Sequence, residues 1–127
     1  FNTFGGNAVA AAVGLAVLDV IRDEGLQQNA ATVGKALADG LRSLAQRHEA
    51  LGETRAAGLF IGQTIQTDGQ PVPLRTARLV NALRDNRILI SSTGPQGDSL
   101  KIRPPLPFSQ ANVDQVLTTL DRLLPTL

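Results

Sequence analysis

Apolar residues recur at spacings of three and four from Leu26 through Ala30, Val33, Leu37, Leu41 and Leu44, which predicts an amphipathic helix ending near Glu49. Upstream, residues 1–18 carry no charge, and Asp19 is the first charged side chain. Asn7 is a good helix N-cap, residues 8–23 have high helix propensity, and Gly25 is a stop signal, so a second helix is expected there. Ala8, Ala10, Ala11, Ala12, Gly14 and Ala16 keep it thin on nearly every face, so another backbone can approach closely. We read the uncharged run as a buried segment. It contains Asn2, Thr3 and Asn7, lacks a basic leader, and is too short and alanine-rich to span a bilayer.

Period-two alternation takes over in "GLFIGQTIQT", where Leu59, Ile61 and Ile65 oppose Phe60, Gly62 and Thr64. This predicts a half-buried strand ending at a turn around Asp68 and Gly69. A loop with Pro71 and Pro73 leads to a helix over residues 75–86, with Ala77, Leu79, Val80 and Leu83 facing inward. "ILIS", "TGPQGD" and "LKIR" read as two adjacent strands joined by a long hairpin loop. Ser109 caps a last helix with its stripe at Val113, Val116, Leu117, Leu120 and Leu124. The order predicts an α+β two-layer domain, a small mixed or antiparallel sheet with helices packed on one face.

At 127 residues the chain is one ordinary domain, large enough to bury roughly two-thirds of its unfolded surface. With no methionine and a motif already under way at residue 1, it looks excised from something longer. The absence of cysteine excludes disulfides, thiolate metal sites and thiol catalysis. Twelve basic and eleven acidic residues are interspersed for a net charge of +1, so neither nucleic acid nor an anionic membrane is an expected partner. Four phenylalanines, without tyrosine or tryptophan, provide no base-stacking platform. A cytoplasmic location is expected.

Candidate chemistry is sparse. His48, the only histidine, has no neighbouring histidine, cysteine or acidic pair at metal spacing, and it reads as a solvated helix end where partial positive charge suits the dipole. No metal site is expected. "NTFGGN" precedes a helix: glycine lets backbone approach a ligand, and free N–H groups with the helix dipole favour an anion, although glycine pairs also serve simply as turns. In "LKIRPPL", Leu100 and Ile102 share one strand face, Lys101 and Arg103 the other, and the prolines forbid further ladder bonds. A guanidinium on that rigid exit can hold a carboxylate through two parallel hydrogen bonds, or remain a solvated arginine. No nucleophile–histidine–acid constellation and no phosphate loop is present, so no catalytic residue is assigned within this chain. The residues alone describe an α+β domain that binds a partner.

"TFGGNAVAAAVGLAVLDVI", "LQQNAATVGKALADGLRSLAQRH", "RAAGLFIG" and "LKIRPPLPFS", in this order, resemble the C-terminal part of class III aminotransferases, pyridoxal-phosphate enzymes of fold type I. The resemblance implies an interdomain motif and long linking helix over residues 1–25, and a C-terminal small domain over 26–127. The large cofactor domain, which would carry the Schiff-base lysine, precedes this chain. It further implies a homodimer, with Thr3 reaching the cofactor phosphate of the other subunit, and Arg103 binding the carboxylate of a small amino donor or acceptor. The implied activity is amino transfer between an amino donor and a keto acid, absent from the isolated fragment. "SSTGPQGDSLKIRPP" resembles the branch that also contains phospho-lyases acting on amino-alcohol phosphates, which is the alternative reaction. A degenerate, non-catalytic dimerisation module is the third reading, supported by Ala8 where the family has proline and Ala56 where it has glycine.

Overall fold

The computed structural model describes residues 2–3 and 5–127; Phe1 and Phe4, the latter inside the NTFGGN motif, lie outside the described residues. Helix α1 spans Ala8–Asp23, and the Asn7 side chain accepts from the Ala10 N–H at 3.0 Å. Gly25 adopts the left-handed conformation at φ 61° and turns the chain into α2, Leu26–Ala45. Strands β1 (Leu51–Ala57), β2 (Phe60–Thr67) and β3 (Gln70–Pro71) follow, then α3 (Pro73–Asp85), β4 (Ser91–Thr93), β5 (Ser99–Ile102) and α4 (Gln110–Leu123).

The ladder is antiparallel throughout in the order β1-β2-β5-β4, with β3 extending β2 beyond the Asp68–Gly69 turn. Helices α2, α3 and α4 cover one face, so the expected α+β architecture holds, with an antiparallel rather than mixed sheet. Leu37 and Leu41 of α2, Leu79 and Leu83 of α3, and Val113 and Leu120 of α4 close over Ile61, Ile65 and Leu100. Gln63 shares this buried face. Its amide is fully engaged, accepting from Thr54 Oγ1 at 2.6 Å and donating to the Gly52 and Thr64 carbonyls at 3.1 and 3.0 Å. It thereby satisfies a carbonyl freed by the irregularity between Leu51 and Thr54 in β1.

Several expectations are corrected. The burial expected for the uncharged helix is not supplied within this chain: no residue of α1 is buried, and Val9 and Leu15 are 73% and 64% exposed, with no cover from another element among the described residues. Helix α2 ends at Ala45, four residues short of Glu49, and residues 51–57 already form a strand. Pro73 opens α3 instead of preceding it, as suits a residue with no N–H to satisfy. Ala77 is exposed; Thr76 is buried in the same turn, its hydroxyl donating to the Val72 carbonyl at 3.2 Å. Ile88 and Ile90 lean on the core without joining the ladder, which starts only at Ser91. Ser109 does cap α4, with reciprocal side-chain bonds to Asn112.

His48 is no solvated helix end. Its side chain is 15% exposed, and Nε2 lies 2.6 Å from Asp121 Oδ1, while Arg47 Nη1 donates to Asp121 Oδ2 at 3.1 Å. The two contacts tie the end of α2 to α4 across 73 residues of sequence. The His48 hydrogen bond, with Arg47 adding to it against an opposing desolvation, holds the Asp121 carboxyl below the ordinary carboxylate range. A depressed folded-state pKa contributes stability above the unfolded carboxylate pKa and loses it as pH falls through the folded value. Asp121→Asn therefore melts at a lower temperature than the wild type at neutral pH. The two curves converge in acid, as thermal melts across a pH series will show; a constant gap at all pH values contradicts the assignment.

Candidate functional site

The alternation of β2 and β5 sorts side chains between the helix-covered face and the open face of the sheet. Ile61, Gln63, Ile65, Leu100 and Ile102 point inward; Phe60, Gly62, Thr64 and Lys101 do not. Across the open face the register aligns Arg55, Gly62, Lys101 and Ser91 in one row. Nothing lies within 4 Å of where a Gly62 Cβ would stand, so the space between the two cations is clear.

Arg103 follows the last residue of β5, and Pro104 and Pro105 end the ladder there because neither has an N–H to donate. One further step of the β2–β5 register sets Arg103 opposite Phe60, and its guanidinium carbon stands 5.5 Å from the centre of that ring. Such a contact contributes about 0.5–1 kcal/mol at an exposed site and restrains a long side chain. Behind it, the Asn29 amide of α2 donates to the carbonyls of Leu106 and Phe108 at 2.7 and 3.0 Å, so the prolyl exit is anchored to the core layer.

Two hollows flank Lys101. The first, about 620 Å³, is lined by Arg87, Ser91, Lys101, Arg103 and Gln115 among others, and no carboxylate lines it. The second, about 570 Å³, includes Arg55, Phe60 and Asp98. Among the described residues Arg87, Lys101 and Arg103 form no ion pair, whereas Arg55 Nε is 3.6 Å from Glu53. An acid-free concavity with three cations attracts anions, and the planar fork of Arg103 matches a carboxylate or phosphate.

Thr3 stands elsewhere, exposed in the turn before α1. The first turn of that helix carries no acidic residue, so its N-terminal partial charge is not neutralised locally. No described residue of this turn or of α1 lines either hollow, so Thr3 and Arg103 do not share a site among the described residues. Of the two lysines, Lys35 is paired with Asp39 on the exposed side of α2, and Lys101 belongs to the sheet face. Among the described residues no group of three or more histidine or acidic side chains is placed to hold a metal ion, and no helix is long and apolar enough to cross a membrane. Sequence reasoning passed over Phe60, Asn29 and Arg87. For Arg87 a signal existed: it occupies the position after a helix end where glycine is usual.

The family described as Aminotransferase class-III matches residues 1–124. An alanine–glyoxylate aminotransferase 2-like protein of Drosophila melanogaster is 40% identical over 92% of this chain and 24% of its own length. Ethanolamine-phosphate phospho-lyase homolog 1 of Caenorhabditis elegans is 38% identical over 98% of this chain and 27% of its own. The structure of a phospholyase from Arthrobacter, in complex with phosphoethanolamine, superposes on the whole chain with a TM-score of 0.93 at 41% identity, covering 31% of that protein. The chain thus spans about a quarter of the length of the curated relatives it matches.

Proposed function

The chain belongs to the class III aminotransferase family, and on that premise we propose that residues 26–127 are the C-terminal small domain, and residues 1–25 the linking segment, of a pyridoxal-phosphate-dependent transaminase. The observation that carries the reading is Arg103: a guanidinium fixed by a prolyl strand exit and an aromatic ring, on a hollow with no carboxylate. There it binds the carboxylate of an amino donor or keto acid in bidentate fashion and orients the rest of the substrate away from the small domain.

Thr3 suits a phosphate group, because its hydroxyl sits in an exposed turn at the unneutralised positive end of a sixteen-residue helix. We assign it to the cofactor phosphate of the second subunit in a homodimer. Pyridoxal phosphate, when bound, supplies an electron sink for the amino-bearing carbon. Proton transfer and cofactor attachment belong to the large domain, since Lys35 is engaged on α2 and Lys101 serves the sheet face. The large domain also supplies the cover that α1 lacks: Val9, Val13, Leu15 and Leu18 form an apolar surface that this chain leaves open.

The phospho-lyase reading keeps a place because the Arthrobacter neighbour is described with phosphoethanolamine bound. One assay on the full-length protein separates the readings. Amino transfer to a keto acid is expected, abolished by stripping pyridoxal phosphate and restored by adding it back. Phosphate release from an amino-alcohol phosphate without amino transfer supports the lyase, and neither activity supports a dimerisation module.

A further inference from the structure

Phe60 opens β2 at 58% exposure, beside Ile61 and Ile65 of the same strand, which are fully buried. Its ring lies under the Arg103 guanidinium, and both members of this pair are anchored to the first half of α2. On the ring's side, the Ala57–Phe60 pair closes the β1–β2 hairpin over Gly58, and the lack of a Cβ at Gly34 lets that turn lie against the helix, with a Gly58 Cβ position 3.6 Å from the Ala30 carbonyl oxygen. On the arginine's side, the Asn29 amide holds the carbonyls of Leu106 and Phe108 just beyond the prolyl exit. Residues 29–34 of one helix therefore set the distance between the ring and the strand end that carries the guanidinium.

How a guanidinium is held decides what it can still bind. A carboxylate or carbonyl would occupy the N–H groups of the fork that a substrate carboxylate needs, whereas a ring attracts the cation through its π-cloud and offers no oxygen. Arg103 makes no side-chain hydrogen bond or ion pair among the described residues, so its fork stays open while the side chain is restrained. We propose that Phe60 is a positioning residue: its ring holds Arg103 in the orientation that receives a substrate carboxylate, and so contributes to the preference for donors that carry one over amines that do not. The inference rests on the proposed carboxylate clamp and goes beyond it by assigning the restraint to one side chain on the neighbouring strand.

The test measures kcat/KM of the full-length protein on a matched pair of donors differing only in the carboxylate, for wild type, Phe60→Leu, Phe60→Tyr, Arg103→Ala, and Phe60→Leu combined with Arg103→Ala. Phe60→Leu keeps an apolar side chain at an exposed position and loses the π-face. It lowers the ratio of the two kcat/KM values about fivefold, through a higher KM for the carboxylate donor, because the restraint acts alike on bound substrate and transition state. Phe60→Tyr, which keeps the π-face, holds the ratio within about twofold of wild type. With Arg103→Ala already present, Phe60→Leu changes the ratio no further. A Phe60→Leu ratio equal to wild type, a Phe60→Tyr ratio as low as that of Phe60→Leu, or an undiminished effect of Phe60→Leu beside Arg103→Ala would each overturn the assignment. Where one of these occurs while Arg103→Ala alone collapses the ratio, the clamp stands without Phe60; an unchanged ratio in Arg103→Ala overturns both.

Discussion

Gly34→Ala destabilises this protein, although the same change in an exposed helix normally stabilises. Alanine in a helix interior is favoured over glycine by about 1 kcal/mol. At Gly34, however, a Cβ would stand 2.3 Å from the carbonyl carbon and oxygen of Gly58 and 2.9 Å from the Leu59 nitrogen. These are backbone atoms of the β1–β2 turn, itself held by Gly58 at φ 55°, and they cannot rotate away as a side chain would. Helix α2 must lift from the hairpin, loosening Leu37 and Leu41 above Ile61. Overpacking of this sort costs about 3 kcal/mol, so the net loss is about 2 kcal/mol, or roughly 6–10 °C in melting temperature, and larger for Gly34→Val. Gly14→Ala is the control: nothing lies within 4 Å of its Cβ position, and it should gain a few tenths of a kcal/mol or more. Thermal melts showing equal effects for the two substitutions would refute the close approach of α2 to the hairpin.

The contrast between Gly34 and Gly14 also explains which features the sequence discloses. Helix starts at Asn7 and Ser109 are legible because the capping side chain lies within three residues of the N–H it satisfies. The apolar stripes of α2 and α4 are legible because their period is local. Gly34 facing Gly58 and His48 meeting Asp121 are products of packing between distant segments, and no short window contains both partners. The same holds for Ile88 and Ile90, whose apolar, branched side chains suit a strand but whose backbone leaves α3 through the left-handed Arg87 and reaches the ladder only at Ser91. At the candidate site, the strand-end position of Arg103 follows from the prolines, but its stacking on Phe60 needs the β2–β5 register. Helix α1 is poor in charge and therefore suited to burial, but what would cover it is not legible in a local window, and no element among the described residues does so.

Arg103→Ala in the full-length protein costs kcat/KM heavily on amino donors that carry an α-carboxylate and little on amines that lack one. The guanidinium is exposed, held 5.5 Å over Phe60 and free of any carboxylate partner among the described residues, so a substrate carboxylate meets an unneutralised fork. Removing one side of such a charge-assisted pair costs about 2–4 kcal/mol, roughly 30- to 1,000-fold in rate. Arg103→Lys recovers only part, since an ammonium keeps the charge and loses the planar geometry. The central claim, that this domain holds the substrate by its carboxylate, is tested most directly by kcat/KM of wild type and Arg103→Ala on a matched pair of donors differing only in that group. The account predicts a loss confined to the carboxylate-bearing donor; equal losses on both would assign Arg103 to the architecture of the site and contradict its role as the clamp.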